Sequence, residues 1–460
     1  MSETTYDVRI WTIHQYKGAR RTTYTAKWRV GGVKHQRTFA TAKLAEAFRT
    51  SLLVATREGM PFFVDDGLPA NLRAKQPEQS WLQHAMAYVD AKWPTASARH
   101  RKGIAEALTD ATVVLLGVNP TGVDATQLRS ALYRWAFNSQ ARTGPLPPGL
   151  EAAAAWAERS SPSLAVMADA TRLRAVLDRY ARRQDGKPAA PATVARKRAT
   201  LHNVLEYAVE LEHFDSNPLK KVKWRAPKAT DVVDRRVVVN PAKARALLEA
   251  VWQQDPAVAA FFACIYYAGP RPAEVRALTI HDCSLPDSGW GQLTLVGSQQ
   301  TSGSAWTDGA TPTEERGLKH RSTRDTRLVP AHPELVAALR RHLDHFQAGA
   351  SGQLFVARTG RAGVPISPPY ANPVDTGTIY RAWHRARAAA LTAREFDSML
   401  ARRPYDLRHA CLSTWLNAGV PPARVAEWAG HGVDVLLRVY ANCVEGDDEI
   451  ALGRIEGALR

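Results

Sequence analysis

The sequence predicts a multidomain α+β protein that is mainly α. A small three-stranded sheet with one helix comes first, then a helical bundle, then a mostly helical domain with a small antiparallel sheet. Three observations predict this class. A chain of 460 residues is too long for one ordinary hydrophobic core. Strand-like alternation of apolar and polar residues occurs at the N-terminus and in two short later segments, whereas apolar residues elsewhere recur at helical spacing.

The first sixty residues form the predicted N-terminal domain (1–60). Its expected strands cover residues 6–14, 22–30 and 33–39. Gly31 and Gly32 predict a tight hairpin turn between the second and third strands. Thr41 is a good N-cap for the amphipathic helix that follows. These elements predict a small independent module.

A linker and a helical domain are expected next. Residues 59–79 contain several Gly, Pro and Asp residues and predict the linker. The second domain (78–226) has a helical pattern, and its clearest helix runs from Thr193 to Leu211.

The third predicted domain covers residues 235–460. Asn240-Pro241 is a sound helix start, because proline is well tolerated at the first helical position. A very apolar helix is expected from Ala257 to Ala268. Strands are expected at 291–297 and 325–330, joined by a long polar loop.

The charge balance favours a polyanionic partner. The chain has 61 Lys and Arg residues against 44 Asp and Glu, a net charge of +17, and phosphate neutralisation makes nucleic acid the usual partner of such proteins. Solubility, or a genome that favours Arg, explains the same charge, and an acidic membrane surface is a weaker rival. The candidate DNA-binding residues are Lys17, Arg20, Arg21, Lys27, Arg29, Arg196, Lys197, Arg198, Lys220, Lys221 and Lys223. A solvated charged face is the alternative for each group.

The cysteines and the apolar segments predict the compartment. The four cysteines are widely separated and form no Cys-x-x-Cys pair, so no metal site is expected and a reducing compartment fits best. No signal-peptide core and no run of eighteen apolar residues is present. We therefore expect a cytoplasmic protein without a membrane partner, which associates with the nucleoid when it binds DNA.

Five side chains of the third domain predict chemistry on a DNA phosphate. Tyr440 can supply a nucleophile, and Arg271 and Arg408 supply guanidinium groups that match phosphate oxygens. Lys319 is the best general acid, because lysine can release a proton where arginine cannot. It is also the only lysine from residue 244 onward, although fourteen precede it. His431 can hydrogen-bond the same phosphate. Each residue alone has an ordinary structural explanation, so the prediction depends on their joint order.

This order of residues resembles the tyrosine recombinases, a family that includes the lambda-type phage integrases. Its signature boxes are similar to Ala268-Gly269-Pro270-Arg271-Pro272-Ala273-Glu274-Val275, to Tyr405-Asp406-Leu407-Arg408-His409, and to Gly430-His431 through Tyr440. Lys319 lies, as the family's lysine does, before a segment like Thr326-Arg327-Leu328-Val329-Pro330. The resemblance is specific over residues 240–445.

The resemblance implies a site-specific recombinase, the integrase of a temperate phage or an integrative element. Such an enzyme forms a 3′-phosphotyrosine and exchanges strands through a Holliday junction without ATP, metal or another cofactor. The three domains would bind arm sites, bind core sites and catalyse, in that order. Its expected partners are double-stranded attachment sites, three further copies in a homotetramer on two duplexes, a directionality factor and a host DNA-bending protein.

One position departs from the family's pattern. The family usually has His or Lys three residues before the second arginine, and this chain has Tyr405. A phenol with a pKa near 10 is a poor base at neutral pH, so the identity of the general base is left open. His409 is not assigned to this role, because adjacent residues on a helix point in different directions.

Three other function classes are weighed against this interpretation. A type IB topoisomerase-like enzyme shares much of the chemistry, but the basic N-terminal module and the helical second domain argue against it. A sequence-specific DNA-binding protein with a decayed site is the non-catalytic alternative, which Tyr405 supports. A metal-dependent nuclease or DDE-type transposase needs clustered acidic residues, and the sequence has no such cluster with convincing spacing.

Overall fold

The computed structural model describes residues 3–17, 22–69, 71–72, 79–117, 123–227, 232–309, 311–318, 325–360 and 363–440, together with 452, 456, 457 and 459. These residues are mainly helical with small antiparallel sheets, so the predicted fold class is confirmed. None of the helices in these ranges combines the length and the apolar character needed to cross a membrane.

The elements are numbered along the chain. The strands are β1 (Thr4–Thr5), β2 (Val8–Ile10), β3 (His14–Lys17), β4 (Thr22–Val30), β5 (Val33–Phe39), β6 (Phe62–Phe63), β7 (Cys283–Ser284), β8 (Gly291–Leu295), β9 (Ser298–Thr301), β10 (Thr313–Arg316) and β11 (Arg327–Ala331). The α-helices are α1 (Ala42–Arg57), α2 (Trp81–Lys92), α3 (Ala98–Leu116), α4 (Ala125–Ser130), α5 (Glu151–Ser160), α6 (Ala170–Tyr180), α7 (Pro191–Glu210), α8 (Pro241–Gln254), α9 (Pro256–Ala268), α10 (Pro272–Ala277), α11 (Pro333–His345), α12 (Thr376–Ala390), α13 (Ala393–Asp397), α14 (Asp406–Asn417), α15 (Pro422–Ala429) and α16 (Val433–Tyr440).

The N-terminal sheet is antiparallel and centred on β4. Gly31 and Gly32 have φ values of +55° and +83° and form the predicted turn into β5. The Thr41 hydroxyl accepts a hydrogen bond from the backbone N–H of Leu44 and caps α1, as predicted. The first predicted strand is broken, since β2 and β3 pair with successive parts of one edge of β4 while β5 pairs with the other.

The start of the predicted linker belongs to this module. Strand β6 pairs with β1, and Phe62 is fully buried beside Trp28 and Leu52. The indole N–H of Trp28 donates to the carbonyl oxygen of Gly67. The N-terminal module therefore includes residues beyond the predicted boundary at residue 60, because the two Phe residues of β6 bury apolar surface that a linker would leave in water.

Helices α2 to α7 surround a second hydrophobic core. Trp81, Leu108 and Tyr180 are buried in it, and the Tyr180 hydroxyl donates to the carbonyl oxygen of Ala107. Asp110, 2% exposed, contributes a buried carboxylate to the same region. Its neighbouring cations stabilise the charge that burial alone would disfavour.

The third part of the chain packs helices around α9 and a sheet of order β11–β8–β7. The predicted strands at 291–297 and 325–330 are present as β8 and β11, and Asn240 caps α8 as expected. A second hairpin, formed by β9 and β10, was not predicted. Its strands are almost wholly polar, so it lacks the apolar alternation from which a strand is recognised.

The loop between β9 and β10 packs into the core of the helical domain. Trp306 is 5% exposed and its ring lies 5.1 Å from that of Tyr133 and 6.0 Å from that of Trp93. The buried Arg101 guanidinium donates to the carbonyl oxygen of Trp306 at 2.9 Å and makes a bidentate pair with Asp308 at 2.7 and 3.0 Å. One loop of the third region thus provides part of the hydrophobic core of the second.

We expect Trp306→Ala to lower the unfolding temperature of the helical domain, because truncating a packed tryptophan costs about 3–5 kcal/mol. Trp290→Ala is the matched control, since Trp290 lies in the same part of the chain but is 61% exposed. Scanning calorimetry measures both variants. Equal midpoints for the two would show that Trp306 does not hold these regions together.

Candidate active site

Arg271 is positioned by the end of α9 and the start of α10. Gly269 ends α9 with a φ of +67°, and an added Cβ there would lie 3.2 Å from Cys411 Sγ and 3.3 Å from Leu412 Cδ2. Arg271 is the N-cap residue of α10, and its guanidinium donates to Glu274 Oε1 at 2.8 Å and to the carbonyl oxygen of Gly430 at 2.9 Å. The sharp turn at Gly269 therefore directs Arg271 towards the segment after α15.

Arg408 lies in the first turn of α14 and is fully buried. Its guanidinium donates to the carbonyl oxygens of Gly269 and of Ala429, the latter at 2.7 Å. These carbonyls terminate α9 and α15, where the last helical carbonyls have no intrahelical partner. Arg408 thus joins two helix ends to the site.

Glu274 is the buried counter-ion of the cluster. It accepts from Arg327 at 2.6 and 3.2 Å and from Arg271 at 2.8 Å, and the backbone N–H of Arg271 adds a bond at 2.7 Å. Burial alone would raise the pKa of Glu274, but Arg327, with Arg271 and Arg408, lowers it to about 2. Glu274 therefore stays ionised and holds the arginines together.

The sequence interpretation missed Arg327. Its side chain is 2% exposed and lies within the same cluster. The signal that could have found it is the alternation of β11, in which Arg327, Val329 and Ala331 all face inward. An arginine on the buried face of a strand requires a charged partner or ligand.

His431 joins the cluster through Arg408, whose Nη2 lies 3.0 Å from His431 Nε2. Burial and the nearby Arg408, Arg271 and Arg327 lower the pKa of His431 to about 3, so the ring is neutral at pH 7. Because arginine can only donate, His431 Nε2 accepts and Nδ1 carries the proton.

The cluster has donors without partners and an excess of positive charge. Arg408 Nε, Arg327 Nε and His431 Nδ1 are buried and have no hydrogen-bond partner within the described residues. In the same ranges, Glu274 is the only carboxylate paired with any of the three arginines, and it bonds to Arg271 and Arg327 but not to Arg408, which leaves two of the three positive charges uncompensated. Buried unpaired donors are costly, and an anion that accepts from them would remove the cost.

Tyr440 contacts a residue that the sequence interpretation excluded. Its hydroxyl lies 2.9 Å from His409 Nδ1, and the two rings are 5.6 Å apart. The expectation that His409 points away from the site is wrong, because α16 packs beside α14 and brings Tyr440 to that face. Burial, with Arg403 and Arg408, lowers the pKa of His409 to about 4.

Tyr405 lies at the N-cap position of α14, behind His409. The two rings meet edge to face at 5.1 Å, and Arg408 Cζ lies 6.0 Å from the centre of the Tyr405 ring. Tyr405 therefore packs against His409 and lies near the Arg408 guanidinium.

Lys319 lies outside the described residues. Strand β10 ends three residues before Lys319, and Arg327 of the cluster lies eight residues after it. Among the described residues, no three His, Cys, Asp or Glu side chains are grouped as a metal ion requires.

The predicted DNA-binding residues have different environments. Those with exposed side chains are Lys17, Lys27, Arg196, Arg198, Lys220, Lys221 and Lys223. Arg29 is half-buried, and Arg20 and Arg21 lie outside the described residues. Lys197 is not on the surface as predicted: it is buried and pairs with Asp110 at 2.7 Å and Glu106 at 2.9 Å. Its position on the inner face of α7 explains the error, since Val194, Leu201 and Leu205 share that face.

A basic cleft of about 800 Å³ lies between the helical domain and the β9–β10 hairpin. Its lining includes five cationic side chains together with residues at the end of β9: Arg99, Lys102, Arg129, Arg134, Arg196, Thr301 and Ser302. Of these side chains only Arg196 is among the predicted DNA-binding residues, because the other four cations are dispersed along the chain between residues 99 and 134.

Solved structures of several recombinases are similar to this chain. The Tn1549 transposon integrase in complex with a circular intermediate DNA matches at 16% identity and a TM-score of 0.45, over 64% of this chain and 87% of that one. XerH site-specific recombinase bound to its difH substrate matches at 15% identity and a TM-score of 0.41, over 78% and 94%. A lambda integrase tetramer bound to a Holliday junction matches at 13% identity and a TM-score of 0.40, over 88% and 89%.

All three matches have TM-scores below 0.5 and identities of 16% or less. No protein-family model and no curated protein matches the sequence.

We expect Gly430→Ala to disrupt the cluster. Gly430 has a φ of +64°, and an added Cβ would overlap the Arg327 guanidinium and lie 3.4 Å from Arg271 Nη1. The left-handed backbone alone costs about 1–2 kcal/mol, and displacement of the arginine adds to it. Gly289→Ala is the control, because Gly289 has a φ of +87° with no atom within 4 Å of an added Cβ. Urea unfolding compares the two, and equal losses would contradict a packing role for Gly430.

Proposed function

We propose that this protein is a site-specific DNA recombinase of the tyrosine type, the integrase of a temperate phage or an integrative element. It cleaves DNA through a 3′-phosphotyrosine bond to Tyr440 and rejoins the strands to a second duplex. The observation that supports this most is the buried cluster of Arg271, Arg327 and Arg408, whose charge exceeds that of Glu274 and whose free donors fit a phosphate.

The proposed chemistry assigns one task to each group. Arg408 Nε–H and His431 Nδ1–H donate to the non-bridging phosphate oxygens, and Arg271, 19% exposed, binds from the open side. Their charge stabilises the pentacovalent transition state as negative charge develops on those oxygens. Lys319 gives its proton to the departing 5′ oxygen, since it alone among these cations releases a proton readily.

The basic cleft and the exposed cations provide the duplex-binding surface of this proposal. Arg99, Lys102 and Arg134 line the cleft, on the side of the molecule formed by the helical domain. Contacts of this kind neutralise phosphates and set affinity without reading bases. We propose that four protomers assemble on two duplex attachment sites. A directionality factor and a host DNA-bending protein assist them, and the reaction takes place in the cytoplasm.

Two of the reactive groups are enclosed in the structure. Arg408 is 0% exposed and Tyr440 is 1% exposed. A phosphate therefore reaches them only when the site opens, and DNA binding has to provide the free energy for that opening. Because the Tyr440 hydroxyl is enclosed until the site opens, it cannot attack phosphates outside a bound site.

Covalent trapping tests the proposed function. Nicked duplexes with randomised sequence around the nick are mixed with the protein, so that cleavage releases a short 5′-hydroxyl fragment and leaves the enzyme attached. We expect protein–DNA adducts that survive denaturation and that are lost in Tyr440→Phe. Tyr380→Phe is the control, because Tyr380 is a tyrosine of the same region that is 49% exposed.

The outcomes of this experiment separate the alternatives. Adducts whose strands join a second duplex support a recombinase, whereas relaxation of supercoiled DNA by isolated protomers indicates a topoisomerase. A protein that binds duplexes tightly but forms no adduct on any of them is a DNA-binding protein without cleavage activity, and the proposal is then wrong.

Arg271→Lys tests the proposed phosphate clamp, in which the Arg271 guanidinium holds two phosphate oxygens at once. Lysine keeps the charge but not the two-pronged geometry, so we expect the single-turnover rate of adduct formation to fall by about 10²- to 10³-fold. Duplex affinity should change little, because one phosphate contact among many is altered. Arg381→Lys, an exposed arginine of α12, is the control. Parallel losses of affinity and rate in a gel-shift and cleavage series would argue against a clamp.

A further inference from the structure

His409 and Tyr440 form a hydrogen bond that the proposed chemistry has not yet used. Nδ1 and Oη are 2.9 Å apart, and the two groups come from different helices, 31 residues apart in sequence. We propose that His409 is the general base that takes the proton of Tyr440 during cleavage, in place of the residue at position 405. This inference rests on the proposed function and extends it.

The geometry fits proton transfer. In the tautomer with its proton on Nε2, the His409 ring presents an acceptor at Nδ1, and the Tyr440 hydroxyl donates to it. A general base has to lie within about 2.6–3.2 Å of the group it deprotonates. Tyr405 meets His409 edge to face, so it limits the rotation of the histidine ring.

The surroundings of His409 keep its imidazole neutral at pH 7. Burial, Arg403 and Arg408 lower its pKa to about 4, while Tyr405 and Tyr440 are the titratable groups in direct contact with its ring. A neutral imidazole is the form that accepts a proton. When a phosphate binds Arg408, its negative charge offsets the arginine that opposes protonation, so the base becomes stronger as the substrate arrives.

The step is balanced in protons and bonds. The Tyr440 proton moves to His409 Nδ1 as Oη attacks phosphorus, an Oη–P bond forms, and the P–O5′ bond breaks. The 5′ oxygen leaves with a proton from the acid proposed above. In rejoining, the 5′-hydroxyl returns its proton to that acid as its oxygen attacks phosphorus, the P–O5′ bond forms, the Oη–P bond breaks, and the His409 imidazolium returns its proton to Tyr440. No metal or redox partner is needed.

Two substitutions separate proton transfer from positioning. Gln in His409→Gln can accept a hydrogen bond from Tyr440 but cannot act as a base, and His409→Ala removes both functions. We expect both variants to form the covalent adduct about 10²- to 10⁴-fold more slowly in a single turnover, with unchanged duplex affinity. His384→Gln is the control, since His384 is an exposed histidine of α12. Thermal unfolding checks that each variant is folded.

The pH profile and a modified substrate complete the test. Without the base, attack depends on the ionised fraction of a phenol, so the variant rates should rise about tenfold per pH unit between pH 6 and 9 while the wild-type rate changes less. A 5′-bridging sulfur, which needs no proton to leave, should not rescue either variant, because His409 acts on the attacking oxygen.

Each outcome decides between the proposals. A wild-type adduct together with an unimpaired His409→Gln variant would overturn the base assignment and leave the proposed function intact. Impairment of His409→Ala alone would make His409 a positioning residue, which also overturns it. If the wild type forms no adduct, the proposed function and this inference are both wrong.

Discussion

The arrangement of the site depends on the buried carboxylate of Glu274. Three guanidinium groups within one cluster repel each other, and burial removes the water that would screen them. Glu274 bonds directly to Arg271 and Arg327 and lowers the energy of all three cations, including Arg408. Because there is one carboxylate for three arginines, the cluster keeps a net positive charge that can bind an anionic ligand.

Carbonyl groups at two helix ends, together with Glu274, hold the arginines in place. The final carbonyls of α9 and α15 have no partners within their helices, and Arg408 donates to both, while Arg271 donates to the carbonyl of Gly430. Gly269 and Gly430 both have positive φ, which turns the chain away after each helix and leaves these carbonyls pointing into the cluster. The same contacts therefore terminate two helices and orient two arginines.

The sequence predicted the fold class and the strands β8 and β11. It also selected Arg271, Arg408 and His431, which hydrogen bonds join to one cluster, and Tyr440, which contacts His409; their roles in a reaction stay predictions. It did not predict Arg327 or the partnership of His409 with Tyr440, since both depend on packing between segments far apart in sequence. The rule that neighbouring helical residues diverge applies within α14, but it does not say which face α16 will cover. The burial of Lys197 differs, because Val194, Leu201 and Leu205 mark its face of α7 as the inner one, and only its partners Asp110 and Glu106 come from another helix.

The hairpin of β9 and β10 connects two parts of the molecule that sequence patterns treat separately. Its tip places Trp306 and Asp308 against Arg101 of the helical domain, and the chain that leaves its base returns through β11 to Arg327. One continuous segment therefore runs from the core of the helical domain to Glu274. The basic cleft lies between that domain and this hairpin, and Thr301 and Ser302 at the end of β9 line it. Because Trp306 fixes the tip of the hairpin in the core of the helical domain, the same packing also holds the hairpin side of the cleft in place.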